Sequence, residues 1–226
     1  MIHEKPGTYK QVDVFLENTV VLCGTVKSVP VYSHVYYQTQ YYRTVLSVVR
    51  TSGNEDLLPV EFSYDMVSCP MDEGAWVWVD GSIHTRSKFQ PGPVRMDCFV
   101  SGHALRLPDE LVYKNYVRLE GLLWKQPTFR KTPFERIISD SSIGVYRLHG
   151  RKIDVIPVIF WGRNASAVST YKGGTPLIAE GRWQSRPYTK QYADGRTEEL
   201  VAYELSIGTF KRVPCSAERR DAATYA

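Results

Sequence analysis

Cysteine is scarce in this sequence. Four occur in 226 residues, at Cys23, Cys69, Cys98 and Cys215, with separations of 46, 29 and 117. No pair has the Cys-x-x-Cys spacing of a zinc site, and a disulfide framework needs a denser supply. Reduced thiols in a cytoplasmic chain are the expectation, with no metal. No apolar run approaches the ~20 residues that span a bilayer, so no membrane association is expected. The stretch Met1-Ile-His-Glu-Lys-Pro6 lacks the apolar core of a signal peptide. Catalytic signatures are missing as well. His34, His84, His103 and His149 form no HExxH group, and there is no Walker A loop, no GxSxG and no GxGxxG opening a helix. The acidic residues are scattered in turns rather than clustered for metal. These absences argue against an enzyme and against a cofactor. The chain is nonetheless 43% hydrophobic, too apolar for a disordered protein.

The formal net charge of +4 hides an asymmetry. Residues 1–111 carry 9 Lys+Arg and 13 Asp+Glu, a net of −4. Residues 112–213 carry 17 and 9, a net of +8. A basic half joined to an acidic one points to a polyanionic partner on one half only.

The sequence also contains an internal repeat. Asn18-Thr-Val-Val-Leu-Cys-Gly24 matches Asn115-Tyr-Val-Arg-Leu-Glu-Gly121 at an offset of 97, and Pro30 matches Pro127. Asp56–Phe62 matches Asp154–Phe160 at 98, and Gly81–Arg86 matches Gly181–Arg186 at 100. Ordered blocks with a slowly drifting offset indicate a duplicated domain. The expected organisation is a first repeat over 12–107, a second over 112–213, and a short tail over 214–226.

Each repeat reads as strands: β-branched and aromatic residues alternate with polar ones between Gly, Pro, Asn and Asp. Helix is expected only near Tyr64–Pro70 and Arg163–Tyr171. Three strands, a short helix and two strands is the layout of the OB-fold, a five-stranded Greek-key barrel. The predicted class is all-β, with two tandem OB barrels. Positions apolar in both copies mark the core: Val20, Leu22 and Val26 with Val117, Leu119 and Leu123; Leu58, Val60 and Phe62 with Ile156, Val158 and Phe160. Val77, Val79 and Ile83 pair with Leu177, Ala179 and Trp183, which puts Trp183 inside. Ser63 stands where the second repeat has Trp161. That substitution predicts Trp161 on an exposed outer face. Trp76 and Trp78 are expected on a surface or interface.

The second repeat resembles the bacterial single-stranded DNA-binding protein (SSB) family. The resemblance is carried by Asn115–Gly121, Pro127-Thr-Phe-Arg-Lys-Thr-Pro133, Asp154-Val-Ile-Pro-Val-Ile-Phe-Trp-Gly-Arg-Asn-Ala165, Gly181-Arg-Trp-Gln-Ser-Arg-Pro-Tyr188 and Ala202–Ser206. The first repeat looks like a diverged copy. The resemblance implies OB barrels that bind single-stranded DNA without catalysis. It also implies four OB units per assembly, hence a homodimer of this two-barrel chain. Carried over by position, Trp161 and Tyr188 would stack bases. Arg186 and Arg130 would lie at or beside positions where basic residues approach the strand. The family usually ends in a glycine-rich segment with an acidic tip that recruits other proteins, whereas residues 214–226 are charge-balanced.

The residues themselves fit such a role. Binding single strands without sequence preference needs aromatic faces for bases and cations for phosphates. The second repeat supplies Trp124, Phe129, Trp161, Tyr188 and Tyr192. Interleaved with them are Lys125, Arg130, Lys131, Arg147, Arg151, Lys152, Arg163, Arg186, Lys190 and Arg196. Asp194-Gly195 is a hairpin-turn signal, giving a projecting arm from Arg186 to Ala202. The matching arm after Arg86 contains Pro91-Gly-Pro93 and is expected to be clipped. Tyr32, Tyr36, Tyr37, Tyr41 and Tyr42 suit a stacking surface, a dimer interface or loop packing. Two other readings remain open at this point. One is an OB-fold assembly protein that docks replication or recombination proteins. The other is an RNA-binding OB protein, since stacking alone does not separate DNA from RNA.

Overall fold

The computed structural model describes residues 17–88, 95–132, 134–147 and 152–213. Pro91-Gly92-Pro93, His149, Arg151, Cys215 and the tail 214–226 lie outside the described residues. The first half contains strands β1 (Asn18–Tyr36), β2 (Thr39–Val49) and β3 (Glu55–Ser63), then a 3₁₀ turn (Tyr64–Met66), then β4 (Trp76–Lys88) and β5 (Arg95–Arg106). The second contains β6 (Lys114–Leu123), β7 (Thr128–Lys131), β8 (Ile137–Tyr146), β9 (Ile153–Trp161), helix α1 (Arg163–Val168), β10 (Pro176–Gln191) and β11 (Thr197–Arg212). The order matches the sequence expectation with one change: the first strand of the second half is broken at Trp124–Pro127 into β6 and β7.

The strand order is β2-β3-β5-β4-β1-β6-β10-β11-β9-β8-β7. Additional β1–β2 and β6–β8 pairings close each half into a barrel, giving two tandem OB-folds. The barrels share an antiparallel seam in which β1 runs against β6, from Asn18 opposite Leu119 to Cys23 opposite Lys114. Among the described residues no helix is long and apolar enough to cross a membrane.

The core follows the duplicated pattern because strand side chains alternate faces with a period of two. Val20, Leu22, Leu58, Phe62, Val117, Leu119, Ile156, Phe160 and Trp183 are all buried. Trp183 is sealed completely, so its ring supplies packing rather than a binding face.

Local features repeat too. The Asn18 side chain donates from Nδ2 to the Ile83 carbonyl at 2.8 Å and accepts the Ile83 N–H at 2.9 Å. Asn115 does the same with Trp183, at 2.7 and 2.8 Å. Both fourth strands carry a bulge, at Asp80/Gly81 and Glu180/Gly181. The glycine is required there: a Cβ on Gly181 would sit 2.0 Å from the Ser206 carbonyl oxygen.

Candidate nucleic-acid interface

Strand β10 organises the basic half. Its even-numbered residues from 182 share the outer face, while Trp183 points inward. Arg182, Gln184, Arg186, Tyr188 and Lys190 stand in that order, opposite Ser206, Glu204, Ala202, Leu200 and Glu198 of β11. The Arg186 guanidinium lies 5.9 Å from the Tyr188 ring centre, and Lys190 Nζ lies 4.8 Å from that of Tyr192. Arg196 covers the same Tyr192 ring at 5.3 Å. Pairing continues to Gln191 opposite Thr197, and Gly195 turns the chain at φ +83°. The arm therefore projects as a basic, aromatic hairpin. In the first half the equivalent ladder is shorter: it pairs Arg86 with Asp97 and runs only to Lys88 opposite Arg95.

Trp161 ends β9, opposite Ile138 of β8, which in turn faces Arg130 of β7. The three residues form one cross-strand row, with Ile138 fully buried in its middle. Trp161 is half-buried rather than openly exposed as the sequence suggests, because its Nε1 donates to Ser206 Oγ at 3.1 Å and tucks the ring against β11. Its counterpart Ser63 and the nearby Glu61 are buried, against the expectation that polar residues mark an open face. Glu61 is covered because Arg86 donates to it at 3.1 Å and Ser33 at 3.0 Å.

Phe129, Arg130 and Lys131 are exposed on β7. Arg130 pairs with Asp140 at 2.5 Å and Lys131 with Glu135 at 2.9 Å. Trp124 is exposed, its ring lying over Gly144. Arg163 opens α1 in solvent. Arg147 is not available to a ligand: it donates to Asp154 from Nε and Nη2, each at 2.7 Å, and to the Thr85 carbonyl at 3.1 Å. Trp76 and Trp78 are half-buried within the chain. Trp76 packs on Tyr113 at 4.7 Å between ring centres, and Trp78 lies under Arg106 and Lys114.

The structure brings Trp161 and Arg186 together at an open groove of about 590 Å³ between the halves. It is lined also by Arg50, Arg136 and Arg182, three residues that sequence reasoning passed over. Arg50 belongs to the acidic repeat and Arg182 adjoins the core Trp183, so charge blocks and aromatic spacing did not single them out.

The two outer faces differ in how their cations are answered. On the first barrel Arg43 holds Asp97 through two hydrogen bonds, at 2.6 and 2.9 Å, and Arg86 reaches both Glu61 and Asp97. By repeat and register, Ile159 and Ala202 take the places of those carboxylates on the second barrel. There, among the described residues, Arg186 has one carboxylate partner, Glu204 at 3.2 Å. The first face is thus neutralised internally, while the second keeps cations beside aromatic rings. Among the described residues no group of three or more His, Cys, Asp or Glu could hold a metal ion.

No family model matches the chain. Two curated relatives are "Single-stranded DNA-binding protein 2" of Streptococcus agalactiae, serotypes V and III. They are 29% and 27% identical over 111 residues, covering 46% of this chain and 81% of each relative. Two solved structures of the single-stranded DNA binding protein from Thermus aquaticus share the fold. A deletion mutant has a TM-score of 0.68 at 18% identity, covering 88% of this chain and 96% of that one. The wild type has a TM-score of 0.65 at 18% identity, covering 88% and 93%.

Proposed function

We infer that this chain, a tandem OB-fold protein of the single-stranded DNA-binding protein family, binds single-stranded DNA and protects it, without catalysis, during replication, repair or recombination. The observation that carries the reading is the outer face of the second barrel. Arg186, Tyr188, Lys190 and Tyr192 alternate cation and ring along β10 and into the turn after it, and Trp161 lines one groove with Arg186. A strand can stack its bases on such rings, at about 1–3 kcal/mol each, while its phosphates meet the cations. Phe129, Arg130, Lys131, Arg163 and Trp124, all exposed, are further candidate contacts in this reading. The site of action would be the cytoplasm, on exposed nucleoid DNA.

The second barrel carries most of the affinity in this reading. Its net charge, its longer arm and Trp161 all support that division. The first barrel, with its cations paired to Glu61 and Asp97, is mainly architectural. Two barrels per chain, together with the four-barrel habit of the family, support a homodimer. A sedimentation mass of one chain at micromolar concentration would refute that assembly.

The test of function is a titration with poly-dT read by quenching of Trp fluorescence, with poly-rU and duplex DNA in parallel. Tight poly-dT binding that weakens steeply with salt is expected, with a log–log slope of roughly −0.7 per phosphate contacted. Equal affinity for duplex would defeat the reading. Equal affinity for poly-rU would favour the RNA-binding alternative.

Docking of a replication or recombination partner is a second reading. It draws support from the β1–β2 hairpin, where Tyr32, Val35, Tyr36 and Tyr37 are exposed around a turn with φ of 45° and 66° at Tyr37 and Gln38.

A further inference from the structure

We propose that Arg182, with Arg50 beside it in the groove between the barrels, holds a backbone phosphate of the bound strand and carries the strand's path from the second barrel onto the first. The proposal rests on the single-stranded DNA reading above and names a subsite within it.

Among the described residues Arg182 is a half-buried cation with no carboxylate in salt-bridge contact. Its Nε is sealed from solvent and has no hydrogen-bond partner. Its Nη2 donates to Gln184 Oε1 at 2.9 Å, a neutral acceptor. The buried carboxylate nearby is already engaged, since Asp56 takes Arg50 Nε at 2.7 Å and the Ser185 N–H at 3.0 Å. Glu55, also on the groove wall, accepts from Ser47 and Lys27. Burial and then the charge of Arg50 push the Arg182 pKa below the usual arginine value, against the pull of Asp56. A charge kept in this setting needs an anion from outside, and a guanidinium matches the oxygens of a phosphate.

The duplication supplies an internal control. Ser82 stands at the position equivalent to Arg182, and its hydroxyl bridges His84 and His103 at 3.1 Å each. The OB barrel therefore folds without an arginine there. Trp161, Arg186 and Arg50 line the same groove as Arg182, which puts the subsite in one groove with the ring proposed above to stack a base.

The experiment measures oligo-dT affinity across a range of KCl for the full-length wild type, R182Q and R182K, with thermal melting of each. R182Q is expected to lower the magnitude of the salt slope by about 0.7, one phosphate fewer. R182K should keep the slope, since it keeps the charge. R182Q should melt no lower than wild type, because an unanswered charge is removed. An unchanged slope in R182Q, with wild type binding normally, overturns the subsite and leaves the function standing. A wild type that does not bind oligo-dT overturns both. A lower melting temperature for R182Q marks a structural arginine and overturns the subsite. A melting shift on adding inorganic phosphate that R182Q abolishes, with the oligo-dT slope unaltered, assigns the site to free phosphate and also overturns it.

Discussion

The carboxylate of Asp154, in the second barrel, accepts the backbone N–H of Thr85 in the first at 2.6 Å. The reverse bond exists as well: Asp56 of the first barrel accepts the N–H of Ser185 in the second at 3.0 Å. Each aspartate is buried and ion-paired to an arginine of its own barrel, Arg147 or Arg50. The duplication has thus produced a reciprocal staple beside the β1–β6 seam.

Removing one partner of a buried pair strands the other. Asp154→Ala leaves Arg147 without its carboxylate and the Thr85 N–H without its acceptor. A loss of about 3–5 kcal/mol is expected, read as a lower urea midpoint. A loss below about 1 kcal/mol would show that solvent or a neighbour replaces the carboxylate.

The two tryptophans of the second barrel should separate binding from folding. Trp161→Ala should cost about 1–3 kcal/mol of poly-dT binding with a modest effect on melting. Trp183→Ala opens the core and should cost about 3–5 kcal/mol of stability. If the two variants behaved alike in both measurements, the placement of Trp161 on a binding face would be wrong.

Arg186 and Arg86 occupy equivalent positions with different partners. Arg186→Glu should weaken oligo-dT binding by at least about 1.5 kcal/mol at low ionic strength, and by less as salt screens the strand. Arg86→Glu places a third carboxylate beside Glu61 and Asp97. It should lower the melting temperature while the protein that remains folded keeps its oligo-dT affinity. Equal losses of affinity in the two variants would contradict the proposed division between barrels.

His84 gives the stability a pH dependence. Burial chiefly, with the charge of Arg147, lowers its pKa from 6.5 to about 4, and burial lowers that of His103. Between pH 4 and 6.5 the unfolded chain binds the proton and the folded one does not, so stability falls as pH falls through this window. Each tenfold change in proton affinity corresponds to about 1.4 kcal/mol, which makes the His84 contribution on the order of 3 kcal/mol over the whole window. Urea unfolding of wild type and His84→Gln from pH 4.5 to 7 checks it. The difference between them should change across this window and flatten above it; parallel curves would mean His84 is not the group responsible.

The strands, the core faces and the doubling of the fold were legible in the sequence because they depend on local periodicity. A side chain's face on a strand follows from its parity, and comparing Val20 with Val117, or Phe62 with Phe160, reveals which parity is buried. The helical stretches and the Asp194-Gly195 turn are equally local. What a charged side chain does is not local, because its partner comes from another strand. Arg147 and Arg182 both look like surface cations in a basic repeat. Tertiary pairing commits the first to Asp154 and leaves the second, among the described residues, with no carboxylate in salt-bridge contact. Trp161 read as open, yet Ser206, forty-five residues later, holds its indole. The groove exists only in the tertiary structure, where Arg50 of one copy and Arg182 of the other line one space, a juxtaposition that no repeat offset encodes.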